Sequence, residues 1–149
     1  YIQRNDIGVI DVKVLNKDSI ISGGLYLCSD ENMPVKVRCL GGHKDYSGYE
    51  NAMIYARDVS CALPLCALIN KATWEKLNGF DADMDSETVI EYSYRVMKGG
   101  YHNIWTPFIQ ADIAIDNEEI ITLLCKKNGV MAEDKDSYIS KKVFDNALE

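Results

Sequence analysis

The sequence predicts an α/β fold in which a mixed β-sheet is flanked by helices. Between Val59 and Pro107, apolar runs typical of buried strands alternate with amphipathic runs of helical spacing. A compact β-branched run at residues 7–15 predicts a further strand, and helix-starting and helix-ending residues bracket the amphipathic runs. A chain of 149 residues that is 47% hydrophobic suits a single domain with its own core. We therefore expect one domain over residues 1–149, with residues 117–149 as its C-terminal helix and tail.

The N-terminal part is predicted to be extended. Residues 7–15 form the first strand, which ends at the polar turn of residues 16–18. Residues 25–28 form a second, short strand. Apolar and polar residues alternate along residues 34–40, as expected for a half-buried third strand. The glycine-rich residues 41–50 that follow are predicted to be a loop, and loops of this kind often carry binding residues.

The central stretch is predicted to hold a buried strand and a capped helix. Residues 59–69 are almost wholly apolar, which is typical of a central strand that is covered on both faces. Pro64 cannot donate a ladder hydrogen bond, so we expect a bulge, a bend or a break there. Asn70 is the predicted N-cap of a helix over residues 71–77, and Gly79 supplies its left-handed C-terminal residue.

A longer helix and two extended segments follow. The helix is predicted to begin at Asp85 or Ser86 and to end at Lys98, before a pair of glycines. Residues 102–108 and 109–115 then form two consecutive extended segments that are separated near Pro107.

The last predicted helix begins after Asp116. Acidic residues lie in its first turn and Lys126 and Lys127 in its last turn, which matches the helix macrodipole. Residues 131–149 are more polar and are compatible with either a weak helix or an extended tail.

Composition excludes some classes of protein. The net charge of −7 argues against a nucleic-acid binder, because such proteins concentrate Lys and Arg on one face. No apolar run approaches the roughly 20 residues that a membrane span needs. The five cysteines lack metal or redox spacing and are predicted to be buried free thiols in a reducing compartment. We expect a cytoplasmic protein, and a position at the inner face of the membrane is compatible with this expectation.

Five carboxylates within residues 81–91 mark the strongest candidate site. Glu87 and Glu91 are four residues apart, so on a helix they share one face. A pair of carboxylates that faces a cleft could act as a general base or hold a divalent metal. The alternative is a solvated helix N-terminus, where acidic residues are favourable in any case. The residues alone leave both readings open.

The central stretch resembles the C-terminal half of the family 2 glycosyltransferases, inverting GT-A-fold enzymes that use nucleotide-sugar donors. The similarity lies in the turn Asn78-Gly79-Phe80-Asp81, in a helix with Glu91 and Arg95, and in a segment from Gly100-Tyr101 to Pro107. These motifs follow the family's order and spacing. The resemblance implies the C-terminal half of a GT-A-like fold, in which the nucleotide-binding half with its DxD motif precedes this chain.

The resemblance also implies roles for particular residues. Glu91 or Glu87 would be the catalytic base that deprotonates the acceptor hydroxyl, although Thr88 and Val89 stand where the family has an acid pair. Asp112 is the nearest metal ligand to the position where the family has a histidine after the last strand. Trp105 and the loop with Tyr46 and Tyr49 would stack on sugars, or Trp105 would be an ordinary core aromatic. The resemblance implies substrate-binding roles for Asp81, Arg95, Trp105 and Tyr49.

The expected ligands are a nucleotide-sugar donor, a glycan or lipid-linked acceptor and a divalent metal, Mg²⁺ or Mn²⁺, in the full-length enzyme. The alternative function is a diverged, non-catalytic module that binds a glycan or a protein. An unpaired edge strand would also allow the chain to form a homodimer. We expect no nucleic-acid partner.

Overall fold

The computed structural model describes residues 3–63, 65–83 and 88–125. Within these residues the chain forms seven strands, three α-helices and one 3₁₀ turn at Tyr49–Asn51. The strands are β1 (Ile7–Asn16), β2 (Ser19–Ser22), β3 (Leu25–Leu27), β4 (Val35–Val37), β5 (Arg57–Val59), β6 (Ala67–Ile69) and β7 (His102–Asp112). The helices are α1 (Lys71–Lys76), α2 (Thr88–Lys98) and α3 (Asn117–Cys125).

The predicted α/β architecture with a mixed sheet is confirmed. β1 is the central strand and pairs in parallel with β7 along one edge. Its other edge pairs antiparallel with β6 near the start of β1 and with β2 near its end. β5 adds an antiparallel strand outside β7, whereas β3 and β4 form a separate two-stranded sheet.

The expected break near Pro107 is a bulge inside one strand. Val12 is opposite Thr106, but the next residue of β1, Lys13, is opposite Gln110. Residues 107–109 therefore have no register partner on β1, and the chain continues in β7 to Asp112. The bulge leaves Phe108 72% exposed, while the preceding residues of the strand are buried. The prediction of two separate extended segments was wrong.

The prediction of one central strand over residues 59–69 was also wrong. β5 ends at Val59 and β6 begins at Ala67, and the two strands pair with different neighbours. Residues 59–63 are nevertheless fully buried. At Ala62 and Leu63, polar side chains take the place of a strand partner: Ser93 Oγ accepts from Ala62 N at 2.8 Å and Asp11 accepts from Leu63 N at 3.3 Å.

Both ends of α1 follow the sequence signals. The Asn70 side chain accepts hydrogen bonds from Ala72 N and Thr73 N, as an N-cap does. After the helix, Gly79 has a φ of 63° and Asn78 a φ of 60°, so two successive residues are left-handed. Gly79 N donates to Trp74 O at 2.9 Å and closes the helix end.

Helices α2 and α3 complete the core. Ile90, Tyr92 and Val96 of α2 are 0% exposed. Gly8 of β1 lies against Val96, and a Cβ atom at Gly8 would overlap the Val96 side chain. Ile120 and Leu124 of α3 pack in the same core cluster as Val12 and Val14. The helix start predicted at Asp85 or Ser86 and the predicted last turn with Lys126 and Lys127 lie outside the described residues, as does the tail at 131–149.

The five cysteines are free, as predicted. Cys28 and Cys61 are buried, but Cys66 and Cys125 are exposed, so burial was predicted wrongly for those two. Among the described residues, no helix combines the length and apolarity that a membrane crossing requires.

Candidate functional site

Three of the residues singled out in the sequence, Asp81, Glu91 and Arg95, lie around the turn between α1 and α2. Arg95 Nε donates to Glu91 Oε1 at 2.7 Å, and Arg95 Nη2 donates to Glu91 Oε2 at 2.8 Å. The same guanidinium donates to the carbonyl oxygens of Leu77 and Gly79, the latter at 2.8 Å. We call this arrangement, with Asp81 beside it, the Arg95 clamp.

The Arg95 clamp connects the turn after α1 to helix α2 through hydrogen bonds. The hydrogen bonding that Arg95 donates to Glu91 is the main cause that raises the pKa of Arg95, and the charges of Glu91 and Asp81 act in the same direction. Both oxygens of Glu91 accept from Arg95, and its side chain is only 15% exposed. Glu91 therefore has a structural partner, and a further proton acceptor would have to come from another residue.

The other predicted site residues do not join this cluster. Trp105 is 0% exposed, and the Arg57 guanidinium lies 4.4 Å from its ring centroid. Of the two roles that the sequence left open for Trp105, the structure shows the core aromatic. Tyr49 is exposed in the 3₁₀ turn. Glu87 lies outside the described residues.

Asp112 lies at the carboxyl end of β7 and accepts a hydrogen bond from Lys17 N at 3.2 Å. Lys17 belongs to the rim of a cavity of about 500 Å³. Asn16, Asp116 and Glu118 also line this cavity. Because β1 and β7 are parallel, both of their carboxyl ends meet here, which is where α/β sheets commonly bind ligands.

A resident divalent metal does not fit these residues alone. Metal sites in proteins need several oxygen or nitrogen ligands that converge on one point. Within residues 3–63, 65–83 and 88–125, no three His, Cys, Asp or Glu side chains converge in this way. Asp112 is instead engaged by the backbone amide of Lys17, so a metal here would need ligands in addition to the described residues.

Comparison with known proteins assigns no relative. No protein-family model, no curated protein and no solved structure matches the chain.

Two charged residues near the sheet, one buried and one half-buried, were not predicted from the sequence. Asp11 is 0% exposed, and burial raises its pKa to about 7. Arg57 donates to the carbonyl oxygens of Ala52 and Gly23, and burial lowers its pKa to about 9. The signal for Asp11 was present, because Asp11 and Lys13 are the charged residues in an otherwise apolar run predicted to be a strand, and a buried charge needs partners.

Lys13 is a third such charge. It is 6% exposed in β1 and lies at a second cavity, of about 320 Å³, between the β7 bulge and the loop that carries Tyr46. Tyr46 was singled out in the sequence as part of a possible sugar-stacking loop. Phe108, which also lines the cavity, was missed because a bulge that turns it outward leaves no local pattern.

Proposed function

We propose that the chain is the acceptor-binding half of an inverting glycosyltransferase with a GT-A-like fold, which transfers a sugar from a nucleotide-sugar donor to a glycan or lipid-linked acceptor. The observation that carries the proposal is the Arg95 clamp. The turn that ends in Asp81, Glu91 and Arg95 carry the family resemblance, and they form one hydrogen-bonded unit. The helix that follows the turn leads into β7, which lies parallel to β1.

The clamp supports a division of roles between the two glutamates. Glu91 is held by Arg95 and positions the turn. In the sequence, Glu87 lies between Asp81 of the turn and Glu91 of α2, four residues before Glu91. We assign Glu87 the role of general base, which takes the proton from the acceptor hydroxyl as that oxygen attacks the donor sugar.

The proposal places donor binding in the other half of the enzyme. A Mg²⁺ or Mn²⁺ ion, held by that half, would stabilise the charge on the leaving diphosphate. The described residues supply acceptor contacts and support for the base. We propose that the enzyme works in the cytoplasm, at the inner face of the membrane when its acceptor is lipid-linked.

A second candidate, a non-catalytic module that binds a glycan or a protein, is favoured by one observation. The carboxylate of Glu91 is fully engaged by Arg95, so the clamp would remain intact in a protein that had lost catalysis. Val89, at the position where the family carries an acid, points in the same direction.

Replacement of the two glutamates in the full-length protein discriminates between these functions. We expect Glu87→Gln to lower kcat by about 100-fold or more, because general-base catalysis contributes that much. We expect Glu91→Gln to lower the thermal midpoint and to reduce kcat less, because the variant weakens the clamp. The measurements are sugar transfer with Mg²⁺ or Mn²⁺ and thermal unfolding.

Glu75→Gln is the matched control, since Glu75 is exposed on α1 and has only a 3.8 Å contact with Lys71. Glu75→Gln should change neither kcat nor the thermal midpoint. Failure of the full-length protein to bind any nucleotide sugar in calorimetry would exclude the enzyme. Nucleotide-sugar binding and transfer that neither Glu87→Gln nor Glu91→Gln reduces would refute the assigned roles.

A further inference from the structure

The cavity at Lys13 combines a buried cation with an exposed apolar rim. We call it the Lys13 pocket, and it lies where the β7 bulge faces the loop before β5. Its residues include Lys13 of β1, Tyr46 and Ile54 of the loop, and Phe108 and Gln110 of β7. The volume of about 320 Å³ is enough for one sugar ring with its substituents.

The ammonium group of Lys13 has hydrogen-bonding capacity to spare. Its Nζ donates to the carbonyl oxygen of Lys44 at 2.6 Å, and this is its one hydrogen bond among the described residues. An ammonium has three N–H donors, and a buried charge is costly unless it is paired. Asp45 also lines the pocket but contacts His43, and the Lys44 ammonium contacts Asp18 at 2.6 Å. The Lys13 charge therefore has no carboxylate within ion-pair distance in the described chain.

The rim is apolar and open to solvent. Tyr46 is 51% exposed, Ile54 is 44% exposed and Phe108 is 72% exposed. Exposed aromatic and aliphatic groups that surround a pocket usually mark a binding site. Because residues 107–109 have no register partner on β1, the bulge can present Phe108 to solvent without a break in β7.

A ligand that fits both parts needs an apolar face and an anionic group. A sugar ring offers C–H groups that can pack on Phe108 and Tyr46, and its hydroxyls can bond to the Gln110 amide. A neutral sugar would leave the Lys13 charge unpaired. An acidic group would pair with it in a largely buried setting, where charge-assisted hydrogen bonds are strongest.

We propose that the Lys13 pocket binds an acidic sugar, whose ring packs on Phe108 and Tyr46 and whose anionic group accepts hydrogen bonds from Lys13. This inference rests on the proposed function, because it makes the acceptor an anionic saccharide. The anion is the carboxylate of a hexuronate or the phosphate of a sugar phosphate, which share the same recognition by Lys13.

The binding test is an NMR titration of the ¹⁵N-labelled chain without donor or metal. The probes are methyl β-glucuronide, glucose 6-phosphate and the neutral methyl β-glucoside. We expect the amide signals of Lys13, Tyr46 and Phe108 to shift with an acidic probe, which should bind about tenfold more tightly than the glucoside. The acidic probe that binds more tightly identifies the anion as carboxylate or phosphate. Equal affinity for the neutral and acidic probes, or no shift with any probe, would overturn the proposal.

Variants test the two parts of the pocket separately. Phe108→Ala should weaken binding about fivefold through loss of ring stacking. Ile109→Ala is the matched control, because Ile109 is 52% exposed in the same bulge and is not among the pocket residues. Lys13→Met should abolish the preference for acidic over neutral probes. If Lys13→Met fails to fold, wild-type affinity in Phe108→Ala would still refute the proposal.

This test can fail independently of the proposed function. Sugar transfer by the full-length protein, with no acidic sugar bound at the Lys13 pocket, would refute the pocket inference alone. Binding of an acidic sugar by a full-length protein that binds no nucleotide sugar would instead refute the enzyme and leave the pocket as a glycan-binding site.

Discussion

Asp11 is an acid in the middle of the sheet whose burial is compensated mainly by backbone amides. Its side chain accepts from Val12 N at 2.8 Å and from Leu63 N at 3.3 Å, and Arg57 adds a favourable charge. Desolvation outweighs these contributions and raises the pKa of Asp11 to about 7 from its ordinary value of 3.8. The carboxyl group is thus partly protonated near neutral pH in the folded chain.

The raised pKa of Asp11 predicts a pH-dependent stability. Between pH 3.8 and about 7 the folded chain retains a proton that the unfolded chain has lost. The contribution of Asp11 to the free energy of unfolding is therefore fully present below pH 3.8. It decreases by ~1.4 kcal/mol per pH unit as the pH rises to about 7. Asp11→Asn does not titrate. Its free energy of unfolding relative to wild type should rise between about pH 4.5 and about pH 7.5 in urea denaturation. Parallel pH profiles of the two proteins would contradict this assignment.

The contact between β1 and α2 depends on Gly8, which has no Cβ atom. Gly8 lies where any Cβ atom would overlap Val96, which is itself 0% exposed. The strand and the helix approach each other closely at this point, and this helps to set the position of α2 and of the Arg95 clamp that it carries.

This close approach predicts that Gly8→Ala destabilises the chain. The added methyl group overpacks the contact and should lower the free energy of unfolding by about 1–3 kcal/mol. In a Val96→Ala background the same substitution should cost less, because the smaller side chain makes room for the methyl group. Urea denaturation of the four proteins of this cycle measures the coupling. Equal costs in both backgrounds would show that Val96 is not the obstacle.

In the described part of the chain, the main sheet has one edge that is only partly covered. β5 covers β7 only from Asn103 to Trp105, while β7 continues to Asp112. Among residues 3–63, 65–83 and 88–125, no strand pairs with the outer edge of β7 after Trp105. Phe108 and Ile109 are exposed there, and an open edge with apolar side chains favours pairing with a second copy.

We therefore propose homodimerisation of the chain through the outer edge of β7. Light scattering after size exclusion should show a molar mass that rises with protein concentration. Ile109→Lys should shift the population to monomers, because an edge lysine opposes strand pairing. Ile121→Lys is the control, since Ile121 is an exposed isoleucine that lies on α3 and not on β7. A monomer at every concentration would contradict the proposal.

Short-range signals predicted much of the fold. Asn70 and Gly79 set the ends of α1 through their own hydrogen bonds and backbone angles, so the sequence sufficed there. Residues 59–69 show the opposite case. Their apolar character predicted burial correctly for residues 59–63. Burial does not specify, however, which groups form hydrogen bonds with the backbone of these residues. Ser93 and Asp11, both distant in sequence, supply some of them instead.

The candidate sites were likewise predicted only in part from the sequence. The spacing of Glu91 and Arg95 predicts that they are neighbours on a helix, and residue order alone carries the resemblance to glycosyltransferases. Only the tertiary structure brings Arg95 to the carbonyl groups of Leu77 and Gly79 and buries Trp105 beneath Arg57. It also brings Lys13 and Phe108 to one cavity, because the bulge and the loop that line it come from distant parts of the chain. Local patterns determine the ends of a capped helix such as α1, whereas the packing of distant segments determines which residues pair as strands and which side chains are left to bind a ligand.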